Sequence, residues 1–308
     1  MLLTVILTQI VISGITSATL PKIVDWANRA WCPQPKDKCQ TDSVSTTDNL
    51  VLVDLFGQSD LIKSLKQDNR VFICYFSAGT REDYRPDKDS FPAATIYGIM
   101  AEWAGEYWLD VSKWELLKPI MQSRIDLGVA AGCDGFEFDN VDFYTSVYAK
   151  NFDIVTLTAK QIAYNTWLSQ SVQAKGKWAF LKNCGGLFTE LNTFFDGAIN
   201  ESCHKYNECD KYSVFIKAGK PVLATEYDGV FDDICKKALQ MGFNQLVYDS
   251  VNIGHWKKCA SPTTSGTSST SGTSGTSGTS GTTLTTSASS WINVTVSYLI
   301  LNALLVIF

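Results

Sequence analysis

Short apolar runs recur along the middle of the chain and predict buried β-strands. The pattern occurs in eight segments, at residues 50–56, 71–76, 107–111, 135–139, 177–183, 197–201, 221–227 and 244–249. Most of these segments are continuously apolar and do not alternate with polar residues, as expected of parallel strands that are covered on both faces. The eight segments therefore predict a mostly parallel sheet.

Two stretches between these runs carry a helical period. From Phe231 onward, apolar side chains recur every three or four residues, and Gly242 follows as a stop signal. Ser112 and Glu115 form a capping-box pattern at the start of another helix. Because proline cannot continue a helix unbroken, Pro119 predicts either a kink or a second helix start.

Eight strands that alternate with helices over about 240 residues predict an α/β fold, a single (β/α)8 TIM barrel. The alternative is an open, doubly wound sheet, but the sequence lacks the glycine-rich phosphate turn that such a sheet carries after an early strand. One connection, residues 78–106, is long and has no clear helical period. Since long connections in compact domains tend to be functional, we expect this segment to contribute to a site.

The first eighteen residues contain no charged side chain. An apolar run at residues 2–15 is followed by the small residues Thr16, Ser17 and Ala18, which is typical of a cleaved secretory signal. The run is short for a membrane span. We therefore predict a signal peptide at residues 1–18, a barrel domain at 19–260 and secretion of the protein.

The other end of the chain is also uncharged. Residues 261–291 are a Ser/Thr/Gly-rich linker that predicts a disordered, O-glycosylated stalk, and residues 292–308 are an almost wholly apolar tail. Small residues, a polar spacer and a terminal apolar tail together predict a GPI anchor, with Ser280 as the attachment residue. The alternative is one transmembrane helix, which the short tail and the missing basic flank disfavour. The expected location is the cell surface or cell wall.

Nine cysteines in a secreted chain predict disulfide bonds. The pairs that are close in sequence are Cys32 with Cys39, Cys203 with Cys209, and Cys235 with Cys259. Because nine is odd, at least one thiol has no partner within the chain, and Cys184 or Cys74 can be buried thiols beside apolar runs. The chain has no Cys-x-x-Cys pair and only two histidines, so we expect no metal.

The net charge of −5 argues against a nucleic-acid partner, because neutralising phosphates needs a basic surface. An acidic surface suits a neutral or cationic ligand. We expect a monomer.

Polar side chains stand at the ends of most predicted strands. They are Asp54, Ser77, Asp110, Asp139, Asn183, Glu201, Glu226 and Asp249. Any one of them can be a helix cap or a solvated loop residue. In a (β/α)8 barrel, however, the carboxyl ends of all strands meet at one face, where the reacting groups lie. As a set, these residues predict an acidic site at that face.

The segment 132–142 is the densest acidic stretch, with four acids in nine residues. Alternation along a strand points Glu137 and Asp139 in the same direction, which can be the barrel interior. Asp134 and Asp142 either cap turns or belong to the site. We interpret Asp139, at the rim, as a catalytic carboxylate.

A pair of carboxylates is what glycoside hydrolysis requires. A nucleophile with a histidine base would have to recruit His204 or His255, and neither is well placed. Aromatic side chains that could stack on sugar rings lie near strand ends or in loops. They are Tyr75, Tyr84, Trp103, Trp108, Tyr144 and Tyr227.

The order of motifs along residues 24–259 resembles glycoside hydrolase family 114, the secreted endo-α-1,4-polygalactosaminidases and spherulin-4-like proteins. The matching segments are 74–79 (CYFSAG), 85–87 (RPD), 106–110 (EYWLD), Arg124, 132–135 (GCDG), 139–142 (DNVD), 182–183 (KN), 200–203 (NESC) and 226–227 (EY). The resemblance implies a TIM barrel that cleaves α-1,4-linked galactosamine polymers internally, without a cofactor.

Position by position, the resemblance implies two catalytic residues, with Asp139 as nucleophile and Glu201 as general acid. It also implies that further residues line the sugar subsites. These are Tyr75, Asp110, Glu137, Asp142, Lys182, Asn183, Glu226 and Tyr227. The expected partners are a galactosamine-containing polysaccharide, which is cationic where it is deacetylated, and a membrane reached through the lipid anchor.

The chain departs from the family pattern at Phe138, Tyr84 and Ser202, which leaves the substrate open. Ser202 creates an Asn-x-Ser glycosylation sequon at Asn200, beside Glu201. Because a glycan there would block the cleft, we predict that Asn200 is unmodified. Two alternatives to the galactosamine hydrolase remain: a non-catalytic carbohydrate-binding or cell-wall protein on the same barrel, and a hydrolase of another glycan.

Overall fold

The computed structural model describes residues 19–23, 25–30, 44–66, 70–248 and 256–260. Its strands, in chain order, are β1 (Trp26–Arg29), β2 (Leu50–Asp54), β3 (Val71–Ser77), β4 (Thr80–Glu82), β5 (Ile96–Ile99), β6 (Glu106–Leu109), β7 (Gly135–Asp139), β8 (Trp178–Lys182), β9 (Gly197–Glu201), β10 (Val222–Glu226), β11 (Asn244–Tyr248) and β12 (Trp256–Lys258). Its helices are α1 (Ser59–Leu65), α2 (Lys118–Ala131), α3 (Ile154–Gln173), α4 (Phe188–Leu191), α5 (Ser213–Lys217) and α6 (Phe231–Met241).

The main sheet is a nearly closed barrel. Its order is β1-β2-β3-β7-β8-β9-β10-β11-β12, with the first eight of these strands parallel and β12 antiparallel to β11. The two edges approach each other, since the indole Nε1 of Trp26 donates a hydrogen bond of 3.1 Å to the carbonyl oxygen of Asn244. Helices cover the outside, so the predicted α/β TIM barrel is confirmed.

Side chains inside the barrel form an apolar floor below a polar mouth. The floor contains Leu52, Ile73, Phe180, Ile199 and Leu223, which belong to one buried cluster. The opposite faces of the same strands pack against the helices in a second, larger cluster. Because successive strand residues alternate in direction, residues two positions beyond the floor also point inward, at the mouth.

Two inward positions of the barrel floor have to be glycine. A Cβ atom on Gly197 would lie 2.5 Å from the ring of Phe180, and one on Gly135 would lie 2.7 Å from Ile73. These distances are shorter than any real Cβ contact. Gly197 therefore gives Phe180, and Gly135 gives Ile73, the space to fill the barrel beneath the site.

The predicted strand at 107–111 is not a barrel strand. The structure places β6 there, in a separate antiparallel sheet of order β4-β6-β5. The barrel strand that pattern reading missed is β1, whose four residues are too few to show a pattern. The long segment 78–106 thus contains β4 and β5, which pair with β6 beside the barrel mouth.

Helix α6 confirms the predicted period and ends at Gly242, whose φ of 78° is the left-handed conformation that glycine adopts readily. The predicted capping box at Ser112 is wrong. The cap of the 3-10 helix Val111–Leu117 is Asp110, whose carboxylate accepts the backbone N–H of Ser112. Helix α2 then begins with Pro119 in its first turn, so the proline marks a second helix start.

Three disulfide bonds link described cysteines. Cys203–Cys209 and Cys235–Cys259 confirm two predicted pairs. Cys74 bonds Cys133, so the alternative of a free Cys74 is wrong, whereas Cys184 is a free, buried thiol. The sequence did not indicate the Cys74–Cys133 bond because 59 residues separate its two ends.

Several predictions fall outside the described residues. They are the signal peptide, the stalk and anchor tail, the Cys32–Cys39 pair, and the positions of Asp249 and His255. No helix in the described part of the chain has the length and apolar character needed to cross a membrane.

Candidate active site

The carboxyl ends of β7, β8 and β9 form the centre of the barrel mouth. Glu137 and Asp139 lie on β7, Lys182 ends β8 and Glu201 ends β9. All four have the inward direction that the alternation along each strand dictates. The prediction that Glu137 and Asp139 share the interior face is confirmed, since both contact Lys182.

A single ammonium group joins three carboxylates. The Nζ of Lys182 lies 2.9 Å from Glu137 Oε1, 3.3 Å from Glu201 Oε2 and 3.5 Å from Asp139 Oδ1. The side chains of Lys182 and Glu137 are 5% and 1% exposed, whereas those of Asp139 and Glu201 are 19% and 25% exposed. Asp139 and Glu201 are therefore the two carboxylates of this group that a substrate can reach.

Each of these two carboxylates also accepts a hydrogen bond from a tyrosine. Tyr75 donates to Asp139 Oδ2 at 3.0 Å, and Tyr227 donates to Glu201 Oε1 at 2.6 Å. Burial raises the pKa of Tyr75 well above its usual value, and the charge of Asp139 adds to the shift. Both tyrosines therefore remain protonated donors over the whole physiological pH range.

Glu137 is the acid of this group that takes up a proton near neutral pH. Burial raises the pKa of Glu137 to about 7, although Lys182 opposes the shift. For Lys182, burial lowers the pKa, but the charges of Asp139, Glu137 and Glu201 outweigh burial and hold the pKa well above its usual value. Lys182 is thus a fixed positive charge between the acids.

Tight turns hold the strand ends in place. Asn140, Asn183 and Ser202 follow β7, β8 and β9 with φ values of 58°, 45° and 62°, in the left-handed region. The side-chain carbonyl of Asn183 accepts the backbone N–H of Glu201 at 3.0 Å, which ties β8 to β9 at the mouth. Gly79 allows the closest approach, because a Cβ atom there would lie 1.6 Å from the carbonyl oxygen of Asn140.

The acids lie at the bottom of a cleft of about 1140 Å3. Four of the aromatic residues that the sequence indicated as candidates for stacking on sugar rings line this cleft, namely Tyr75, Tyr84, Trp103 and Trp108. Trp103 and Tyr84 are exposed on the rim. Tyr144 instead lines a smaller pocket that also borders Glu201, and Tyr227 contacts Glu201 itself.

Sequence reasoning missed other rim residues, including Tyr148 and Tyr206. Tyr148 follows the 3-10 helix Phe143–Thr145, and Tyr206 lies in the loop after β9. Neither is near a predicted strand end, so the strand pattern carried no signal for them.

Two of the predicted subsite residues neither line the cleft nor form a hydrogen bond with the catalytic candidates, and a third, Tyr227, contacts Glu201 without lining the cleft. Asp110 caps the 3-10 helix after β6 and forms an ion pair of 2.8 Å with Lys113. Glu226 is buried and accepts the backbone N–H of His204 at 2.8 Å, which holds the loop after Glu201. The structure therefore brings together the other six predicted residues around the catalytic candidates, while Asp110 and Glu226 brace the surroundings.

Asp134 and Asp142, which the sequence left either as turn caps or as site residues, have different roles in the structure. Asp134 is structural, because its carboxylate accepts the backbone N–H of Phe72 and pairs with Lys66 at 3.1 Å. Asp142 precedes the 3-10 helix Phe143–Thr145 without forming a side-chain cap, and it lines the cleft. Asp142 is therefore free to interact with a ligand.

Asn200, the sequon residue, is only 1% exposed. Its amide donates to the Tyr212 hydroxyl at 2.7 Å, and its carbonyl accepts the backbone N–H of Cys203 at 3.1 Å. A glycan would replace one of the two N–H groups of this nitrogen, which donate to Tyr212 and to the carbonyl oxygen of Glu201, and it would start from a buried atom. Its unmodified state stays a prediction, which intact mass measurement of the peptide would test.

Accessible carboxylates at the carboxyl-terminal mouth of a (β/α)8 barrel are the arrangement that barrel glycoside hydrolases use. More closely, the chain is a member of glycoside-hydrolase family GH114, whose family model matches residues 25–264. The resemblance seen in the sequence is thus confirmed, and the protein is a glycoside hydrolase. A search of curated proteins found no match to this chain.

Solved structures agree with this assignment. Aspergillus fumigatus Ega3, crystallised in complex with galactosamine, is 28% identical with a TM-score of 0.66, and the match covers 80% of this chain and 100% of Ega3. The glycoside hydrolase domain of PelA from Pseudomonas aeruginosa is 12% identical with a TM-score of 0.59, over 78% of this chain and 99% of the PelA chain. At that identity, PelA shows a shared fold alone.

Proposed function

We propose that this protein is a secreted, surface-anchored endo-hydrolase of α-1,4-linked galactosamine-containing polysaccharide, with Asp139 and Glu201 as its catalytic pair. The assignment rests on the position of these two residues relative to the cleft and to Lys182. Both are accessible from the cleft, and both contact Lys182, while the third acid, Glu137, is buried behind them.

In the first step, an oxygen of Asp139 attacks the anomeric carbon, and the bond to the leaving sugar's oxygen breaks. Glu201 donates its proton to that oxygen. In the second step, Glu201 takes a proton from a water molecule, the water oxygen attacks the anomeric carbon, and the bond to Asp139 breaks. Tyr75 and Lys182 stabilise the carboxylate of Asp139 before attack and after release.

The distance between the two carboxylates supports this retaining course. One oxygen of each lies within 3.5 Å of the same nitrogen, Lys182 Nζ. Those two oxygens are therefore at most about 7 Å apart. This upper limit is compatible with the carboxylate separation of retaining enzymes, ~5–5.5 Å, and with little of the ~6.5–9.5 Å range of inverting enzymes.

Charge supports a cationic substrate. Glu102, Glu106 and Asp142 line the same cleft as the catalytic pair. Burial raises the pKa of Glu106 and brings that of Asp142 to about 6. A nearby cation would therefore stabilise the ionised form of both carboxylates. Deacetylated galactosamine carries an ammonium group at each sugar, whereas a neutral glycan offers none. The galactosamine found in complex with Ega3 is consistent with this choice.

Secretion is supported by the three disulfide bonds, because such bonds persist in oxidising compartments. The lipid anchor is proposed from the sequence of residues 261–308 alone.

The test is to assay the full-length protein and its Asp139→Asn and Glu201→Gln variants for new reducing ends on a panel of polymers. We expect each variant to lose at least about a thousandfold in kcat, since each removes a group that reacts. Asp210→Asn and Glu190→Gln are matched controls, because both residues are exposed and line neither pocket.

Full activity of either catalytic variant would refute the assignment of the pair. Retention of polymer by the unmutated protein without any cleavage would instead favour a carbohydrate-binding protein. Cleavage of a neutral glycan in preference to polygalactosamine would refute the substrate.

A further inference from the structure

A second, smaller pocket of about 270 Å3 opens beside the main cleft. The two share five lining residues, namely Asp142, Thr145, Asn183, Glu201 and Tyr206. The small pocket is therefore a continuation of the cleft past Glu201. Its volume is near the lower end of the ~300–1,000 Å3 typical of ligand pockets, which suits one sugar residue.

The position of this pocket relative to the catalytic pair defines which part of a substrate it would hold. Glu201 lines it, whereas Asp139 lines only the main cleft. In glycoside hydrolysis the general acid faces the oxygen of the leaving group, and the nucleophile faces the anomeric carbon of the sugar that it attacks. A pocket on the side of the acid alone therefore lies where the leaving sugar binds.

Asp142 supplies this pocket with a carboxylate whose stabilising contacts are a hydrogen bond from its own backbone N–H and the more distant charge of Lys182. It forms no side-chain cap, and within the described part of the chain no lysine or arginine forms an ion pair with it. Burial, followed by repulsion from Asp139, raises its pKa to about 6. An ammonium group in the pocket would remove this unfavourable energy, and a neutral acetamide would not.

The outer wall of the pocket is built to be rigid. The loop after Glu201 is closed by the Cys203–Cys209 disulfide, and Glu226 holds it by accepting the backbone N–H of His204. This loop carries Tyr206, whose side chain is exposed, to the entrance of the pocket. A sugar face can pack on its ring there without reordering the loop.

The opposite wall has room only because of a glycine. A Cβ atom on Gly186 would lie 2.5 Å from the hydroxyl of Tyr144. Lys211 would add a competing positive charge, but it is paired with Glu208 at 2.7 Å. Of the carboxylates that line the pocket, Glu208 pairs with Lys211 and Glu201 pairs with Lys182, whereas Asp142 forms no ion pair with any described residue.

We propose that this pocket, bounded by Asp142, Tyr144, Glu201 and Tyr206, is the subsite of the leaving sugar, and that Asp142 selects an amino sugar with a free ammonium group. The inference rests on the proposed function and specifies which sugar of the polymer must be deacetylated.

The experiment is to digest α-1,4-linked polygalactosamine, half of whose residues are N-acetylated, with the full-length protein. The new non-reducing ends, which come from the leaving sugars, are then identified by mass spectrometry. We expect free galactosamine at most of these ends. For Asp142→Asn, we expect the ends to approach the composition of the polymer and kcat/KM to fall about tenfold to a hundredfold, as for a lost charge-assisted hydrogen bond. Asp210→Asn is the control for loss of a nearby charge.

A second substrate separates this role from a general effect on catalysis. A galactosamine oligomer with a nitrophenyl leaving group has no sugar in the proposed subsite, so the ratio of polymer to nitrophenyl kcat/KM should fall in Asp142→Asn and in Tyr206→Ala. An unchanged ratio, or wild-type ends that follow the polymer composition, would overturn the inference alone. If the unmutated protein cleaves neither substrate, the proposed function itself is wrong.

Discussion

Acidic side chains have different numbers of cationic partners in two neighbouring regions of this barrel. In the bracing network beside the mouth, Arg85 forms two hydrogen bonds of 2.8 Å with Asp54 and a further one of 2.9 Å with Glu82. Arg124 pairs in the same bidentate way with Asp87. At the mouth, by contrast, three carboxylates share the single ammonium of Lys182.

This difference separates carboxylates that are neutralised within the fold from carboxylates that remain available to a substrate. Planar guanidinium groups neutralise the network acids in fixed geometry, so these residues stabilise the fold and have nothing left for a ligand. The mouth keeps an excess of negative charge that is costly in the free protein. A cationic substrate relieves that cost on binding. Three predictions test this contrast.

Loss of Arg85 should have the largest effect on stability. Arg85→Met leaves the buried acids Asp54 and Glu82 without their main cation, and we expect the free energy of unfolding to fall by about 3–5 kcal/mol. Urea denaturation measures it. The control is Lys160→Met, which breaks an exposed pair with Glu115 and should cost at most about 1 kcal/mol. Equal losses in the two variants would contradict the contrast.

Loss of Lys182 should instead act mainly on activity. Lys182→Met removes the charge that orders the acids of the mouth, and we expect kcat/KM to fall at least about a hundredfold, as when one preorganised electrostatic group is lost. Its unfolding free energy should fall by less than in Arg85→Met, because Glu137 can become neutral by taking up a proton. A variant that unfolds as readily as Arg85→Met, yet keeps its activity when folded, would reverse the two roles.

The third prediction concerns pH and has the smallest effect. Glu137 has a pKa of about 7 in the folded protein, against 4.5 for an ordinary glutamate. Between these values the folded state holds a proton that the unfolded state has lost, so stability falls as pH rises through this window. Asp142 has a shift of the same sign.

Glu137→Gln removes the titrating group and should flatten this slope. Its unfolding free energy relative to the unmutated protein should rise by about 2–3 kcal/mol between pH 4 and pH 8. Urea titrations at both pH values measure the change, with the exposed Glu190→Gln as control. An identical pH slope in the variant and the parent protein would mean that the pKa of Glu137 is not raised in the folded state.

Much of the barrel could be predicted from the sequence because its strands are encoded locally. The continuous apolar runs of β2, β3 and β8 require cover on both faces, which parallel barrel strands have. Strand β6 has a similar pattern but lies outside the barrel. Its partners, β4 and β5, have only three and four residues, so no local signal revealed the sheet that they form with it.

Part of the candidate site could also be predicted from the sequence. Strand alternation alone places Glu137 and Asp139 on one face, and a strand end indicated Glu201, whereas Lys182 was implied only by the family resemblance. Asp110 also ends a predicted strand, yet it caps a helix, because its strand belongs to the other sheet.

The sequence by itself indicated seven of the eight parallel barrel strands, the Cys203–Cys209 bond and the direction of the inward side chains, since each depends on neighbours within a few residues. Only the tertiary structure decided which acids are neutralised and which stay reactive. Arg85 meets Asp54 across 31 positions and Lys182 meets Glu137 across 45. Such pairs form only when the barrel closes, because their energy depends on burial and distance, which no local pattern contains.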